Sequence, residues 1–206
     1  MSEEQVTEAL NAGAEIATLA DTQDINLFVG GEMGIGNTTS ASALAAALSK
    51  MPIEELVGKG TGVDHDGLKR KQDAISRAIR LHSATELSPL EALRCLGGFE
   101  IAGLVGAYIR CAQLGIAILV DGFISTAAAL VACKINPTIR PWLFFSHRSE
   151  ESGHKHLLTM LDAQPLLDLG MRLGEGSGAA IAAPLLQAAC RLHAEMASFE
   201  QAGVSQ

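Results

Sequence analysis

Three short apolar runs in this chain share one local order: each ends on glycine or small polar residues and is followed by a helix-forming stretch. Residues 25–29 lead through Gly30-Gly31 into an Ala-rich segment at 38–50, and residues 116–120 stop at Asp121-Gly122 before an apolar segment at 124–134. Residues 142–145 end at Ser146-His147, with a helix expected at 154–161. The run Ile116-Ala117-Ile118-Leu119-Val120 is continuous rather than alternating, as expected of a parallel strand covered on both faces. Strands alternating with helices predict an α/β domain with a mostly parallel sheet, and place a ligand beyond the carboxyl ends of the strands. Chemistry is therefore expected from the residues that directly follow each run.

The rest of the pattern is helical. Ser2-Glu3-Glu4-Gln5 has the form of a capping box, and Val6, Leu10, Ala14 and Leu19 recur at helical spacing behind it. Ser88-Pro89-Leu90-Glu91 supplies a cap, a proline at the first helical position and a carboxylate at the third, and residues 100–114 form a further helix closed by Gly115. A second glycine loop, 58–62, precedes a helix at 66–81 and reads as a repeat of the strand–loop–helix unit. Gly174-Glu175-Gly176-Ser177-Gly178 opens a last helix, which continues through Leu185, Ala189 and Leu192 toward Phe199.

Composition narrows the function. The chain has 206 residues, 48% hydrophobic but only 4% aromatic, so its core must be built by close packing of small side chains. A net charge of -8, with no Lys/Arg run interleaved with aromatics, speaks against a nucleic-acid partner. The apolar runs are too short for a membrane span and the start Met1-Ser2-Glu3-Glu4 is acidic, so a cytoplasmic protein without a membrane partner is expected. Cys95, Cys111, Cys133 and Cys190 lie far apart without a C-x-x-C pair and read as structural thiols.

In Gly31-Glu32-Met33-Gly34-Ile35-Gly36-Asn37-Thr38-Thr39, small residues let backbone N–H groups approach an anion, and the helix behind adds the positive end of its dipole. No Lys-Ser or Lys-Thr follows the glycines, so the loop is not a Walker A, and its spacing is not a dinucleotide fingerprint. The 58–62 loop, with Lys69-Arg70-Lys71 beyond it, offers a second anion-ready turn, so one phosphorylated ligand across both is the expected guest. Glu32 is awkward for an anion loop unless it serves ribose hydroxyls or cationic character at an anomeric carbon. Chemistry alone leaves Glu175 open between a helix-end charge and a general base. His147, His154 and His156 fall close together but lack a fourth ligand at standard spacing, so no metal is expected, and His147 is assigned to a strand-end hydrogen-bond network with Ser146 and Ser149.

The 31–39 block resembles the signature loop of the nicotinate-nucleotide–dimethylbenzimidazole phosphoribosyltransferases, and 58–64, 97–103, 120–124 and 170–180 are similar to further blocks of that family in order. The resemblance implies a Rossmann-like sheet flanked by helices over 1–181, and a C-terminal helix, 182–206, belonging to a smaller helical domain of a homodimer. It implies transfer of the ribose phosphate of nicotinate mononucleotide to dimethylbenzimidazole, giving α-ribazole 5'-phosphate and nicotinate, with no cofactor and no metal. Residue by residue, it makes Glu175 the general base, a role that calls for partial burial near neutrality. It places Glu32 at the ribose, and Gly34, Gly36, Asn37, Thr38, Gly60, Thr61, Lys71, Asp121 and Ser149 around the phosphate and ribose. Met171 and Leu173 would face the acceptor. Family members carry a substantial segment before the part this chain resembles, which would supply helices of the small domain and part of the acceptor pocket. A module that binds nicotinate mononucleotide or ribazole phosphate without turnover is therefore the competing expectation, and a generic sugar-phosphate enzyme a weaker one.

Overall fold

The structure is a computed structural model that describes residues 1–58, 64–82 and 86–203. The first helix, α1 (Glu3–Thr22), is closed by the expected box: Gln5 N–H donates to Ser2 Oγ at 3.1 Å and Ser2 N–H to Gln5 Oε1 at 2.9 Å. Asp24, at φ +54°, turns the chain out of the helix, which is why strand β1 (Leu27–Gly30) starts later than the apolar run does. Helices α2 (Thr38–Ser49), α3 (Ile53–Leu56), α4 (His65–His82), α5 (Pro89–Leu96) and α6 (Phe99–Leu114) follow before strand β2 (Ala117–Val120). Then come α7 (Phe123–Ile135), a 3-10 turn (Pro137–Trp142), strand β3 (Leu143–Phe145), α8 (His154–Met160) and α9 (Ser177–Glu195).

The three strands are parallel in the order β1-β2-β3, with Leu119 level with Val29 on one side and Phe144 on the other. Side chains alternate across β2. Ile118 and Val120 join the main core, whereas Leu119 packs on the opposite face with Ala179 and Ala182 of α9. That two-sided burial explains the continuous apolar run. Helix α7 is buried on every side from Phe123 to Ala132, and its alanines let it sit centrally. Helix α1 lies so tightly on α6 that a Cβ at Gly13 would overlap the Gly103 carbonyl, and one at Gly106 the Leu10 carbonyl.

Two expectations are corrected. The 58–62 loop does not follow a strand: it follows α3, a single turn that starts after Pro52 with Glu54 and Glu55 at its amino end. Pro52 stands just outside this turn, at φ -56° and ψ 135°, and the carboxylates suit the positive helix end, so the strand–loop–helix unit does not repeat. Helix α9 opens at Ser177 rather than Gly174, because Gly174, Glu175 and Gly176 hold φ of +82°, +59° and +74°, outside helical space. It also ends at Glu195, short of Phe199. The side chains of this helix are exposed from 187 onward.

No described helix is long and apolar enough to cross a membrane. Burial pushes the Cys111 thiol up to about 12 and that of Cys133 to about 11, so both stay protonated and inert at neutral pH. Cys190 departs from the buried pattern and is exposed on α9.

Candidate functional site

The 31–37 loop and the 170–176 segment meet at the carboxyl end of the sheet. Beyond β1, Gly34 and Gly36 take φ of +80° and +84°, which only glycine adopts freely, and the chain doubles back into α2. The Glu32 carboxylate closes this loop from inside: Oε2 accepts from Gly34 N–H at 2.6 Å and from Asn37 Nδ2 at 2.7 Å. Burial pushes the Glu32 carboxyl above the ordinary range, these hydrogen bonds pull it back, and Asp121 and Glu100 push it further up. One of the loop's N–H groups is thus already committed to an internal carboxylate. The start of α2 has no side-chain cap among the described residues, so its first N–H groups remain the anion-ready feature.

Lys71 reaches this point from α4. Its Nζ donates to Thr38 Oγ1 at 2.9 Å and to the Gly58 carbonyl at 3.2 Å, using two of three donors among the described residues. Burial lowers its pKa, opposed by Glu151, as for a half-buried cation short of counter-charge. Gly60 and Thr61 lie outside the described residues.

Across the cleft, residues 170–176 form a strap interlocked with the first loop. Glu175 N–H donates to the Glu32 carbonyl at 2.8 Å, and a Cβ on Gly31 would overlap Gly176. The Glu175 side chain is exposed, so the burial expected of a base is not supplied by this chain. Asp121, directly after β2, is 1% exposed, and its two oxygens accept from Gly176 N–H and Ala179 N–H at 3.1 and 3.0 Å. Met171 is half-buried and its carbonyl accepts from Glu150 N–H, while Leu173 is exposed at the cleft.

The enclosed space is about 510 Å³ and is lined by Glu32, Gly34, Thr38, Ser149 and Leu173 from the expected set. Gly122, His147, Glu151 and Arg172 also line it. Arg172 was missed by sequence reasoning, although a cation inside the glycine block at 170–174 is itself a signal for an anionic guest. Asn37, Lys71, Asp121 and Glu175 stand behind or beside this lining rather than in it.

Two buried histidines support the floor. Ser149 N–H donates to His154 Nδ1 at 2.8 Å, which leaves Nε2–H to donate to Thr126 Oγ1 at 2.9 Å. Ser146 Oγ donates to the Asp121 carbonyl at 3.2 Å and so accepts from His147 Nδ1–H at 3.0 Å, leaving His147 Nε2 as an acceptor. Of the expected partners of His147, Ser146 is bonded to it, whereas Ser149 bonds His154 instead. Among the described residues no three His, Cys, Asp or Glu groups converge as a metal cluster would require.

Burial lowers His147 and pushes His154 down to about 3, from an ordinary 6.5. The unfolded chain takes up a proton at His154 near 6.5 that the fold refuses until about 3. This contribution to stability is therefore complete above that range and is lost as pH falls through it, at about 1.4 kcal/mol per pH unit. Proton NMR of the imidazole Cε1–H groups from pH 8 to 5 checks this: His154 is expected to show no titration, and a midpoint near 6.5 would sink the assignment.

A family profile described as Phosphoribosyltransferase matches residues 1–204. The chain is 57% identical over 205 residues to the nicotinate-nucleotide–dimethylbenzimidazole phosphoribosyltransferase of Pseudomonas putida strain GB-1, covering all of this chain and 58% of that relative. It is 59% identical to the protein of the same name from Xanthomonas axonopodis pv. citri strain 306, again covering 100% of this chain and 59% of the relative. The crystal structure of CobT from Thermus thermophilus superposes with a TM-score of 0.93 at 48% identity, covering 100% of this chain and 61% of that one. The chain thus spans about 58% of the length of the curated relatives it matches.

Proposed function

Because the chain belongs to the phosphoribosyltransferase family that includes the nicotinate-nucleotide–dimethylbenzimidazole phosphoribosyltransferases, we propose that it transfers the 5-phosphoribosyl group of nicotinate mononucleotide to dimethylbenzimidazole. The observation that carries this reading is the interlock of the 31–37 loop with the 170–176 strap, fixed by Glu175 N–H on the Glu32 carbonyl at 2.8 Å. It ties the backbone of Glu175 to that of Glu32, which supports assigning the two carboxylates to one site.

In this reading the phosphate sits at the start of α2, with Thr38, Ser149 and the remaining Lys71 donor around it. The unprotonated azole nitrogen attacks the anomeric carbon, and the bond to the pyridine nitrogen breaks with its electron pair, releasing nicotinate. In the same reading the Glu32 carboxylate stabilises cationic character at that carbon. Glu175 takes the proton from the other azole nitrogen, giving α-ribazole 5'-phosphate. Leu173 and Met171 offer the apolar contact for the aromatic acceptor. On the same reading the exposed length of α9 belongs to a smaller helical domain and the working protein is a homodimer.

One observation favours a second reading, binding without turnover: Glu175 is exposed, and a base open to water loses the advantage of a dry site. Incubation with nicotinate mononucleotide and dimethylbenzimidazole separates the two, since release of nicotinate with α-ribazole 5'-phosphate is expected of the first alone. Calorimetry adds a test of the donor site. Lys71→Met is expected to weaken nicotinate mononucleotide roughly 10–100-fold, the value of a charged hydrogen bond. Unchanged affinity would remove Lys71 from the phosphate site.

A further inference from the structure

Glu175 occupies a left-handed conformation that a residue with a Cβ adopts reluctantly, and such a conformation persists only where its surroundings enforce it. The enforcement comes from Asp121. Its carboxylate is buried directly after β2, with Oδ2 on the N–H of Gly176, the residue following Glu175, and Oδ1 on the N–H of Ala179 in the first turn of α9. Both oxygens are engaged by backbone N–H groups, and Gly122 lines the cleft whereas Asp121 does not. Beneath the same turn, a Cβ at Gly178 would overlap the His147 ring, so the turn is seated against a fixed floor. A carboxylate suits this place because two N–H donors need two acceptors, and an amide would set its own NH2 against one of them.

We propose that Asp121 is a positioning residue for the general base, holding the left-handed turn that presents Glu175 to the acceptor rather than contacting ribose or phosphate itself. This rests on the reading of Glu175 as the base. Asp121→Asn is isosteric and is expected to lower kcat by about 10-fold or more, with the KM for nicotinate mononucleotide within about 3-fold of its normal value. Amide exchange at Gly176 and Ala179 is expected to quicken, while the sheet keeps its protection. In a Glu175→Gln background, Asp121→Asn is expected to change kcat by less than about 2-fold, since residues acting through one another are not additive.

Retained binding of nicotinate mononucleotide shows that the variant folds; if it does not bind, Asp121→Ser, which keeps one acceptor, is tested by the same cycle with the same expectation. Full, additive losses in the double variant overturn this proposal and leave the base assignment intact. A rise in KM at normal kcat overturns it in favour of a ribose contact. Normal turnover in Glu175→Gln alone overturns the base reading itself, and this proposal with it.

Discussion

Replacing Glu175 by Gln is expected to lower turnover by on the order of 10²-fold or more, while the KM for nicotinate mononucleotide changes far less. The amide can still hydrogen-bond an azole nitrogen but cannot take its proton. The side chain is exposed, so the substitution removes no packing, and its backbone N–H still reaches the Glu32 carbonyl. A helix-end charge without chemical duty makes the opposite forecast: stability lower by roughly 1 kcal/mol and near-normal turnover. Steady-state kinetics and a melting curve on one preparation distinguish these. Glu32→Gln is expected to differ from both. That carboxylate closes its own loop through Gly34 and Asn37, so substrate affinity and rate are expected to fall together.

The largest expected loss of stability lies far from the cleft, where α1 crosses α6. A Cβ at Gly106 would overlap the Leu10 carbonyl, which is backbone and cannot rotate away, so Gly106→Ala forces the two helices apart. Overpacking of this kind costs typically about 1–3 kcal/mol, and the gain of about 0.5–1 kcal/mol in helix propensity offsets only part of it. Gly103 is the internal control. It lies on the same helix, yet a Cβ there meets only the Ala9 carbonyl, at 3.8 Å, an ordinary contact. Gly103→Ala is therefore expected to stabilise by about 0.5–1 kcal/mol. Urea unfolding midpoints at constant m-value measure both. Opposite signs for the two alanines are the expected outcome, and a stabilising Gly106→Ala would refute the close crossing.

Much of the fold is legible in the sequence because local chemistry and tertiary context agree. Ser88 and Glu91 cap α5 as their spacing predicts, with Glu91 N–H on Ser88 Oγ and Ser88 N–H on Glu91 Oε2. The run at 116–120 is a strand buried on both faces because α9 covers Leu119 while the main core covers Ile118. The 58–62 loop misleads because glycine punctuates the end of a helix as readily as that of a strand, and only the proline and acids at 52–55 tell them apart. The strap is harder still: three consecutive positive φ values are set by Asp121 and Glu32 from distant parts of the chain, and no local pattern encodes that. For the candidate site, residue types suited to a phosphate are legible, but not that Glu32 holds its own loop or that Lys71 donates to Thr38.

The contact between Asp121 and Gly176 joins residues 55 apart in sequence. Closing a loop of that length costs entropy before the contact repays it. The apolar reward on that face is small, with Leu119, Ala179 and Ala182 its buried members. The strap is therefore expected to be among the last parts of the chain to become ordered and the first to let go. Damage there is expected to speed unfolding more than it slows folding. On warming, the strap is therefore expected to loosen before the sheet and α2, so that Glu175 loses its fixed position while Lys71 still holds Thr38.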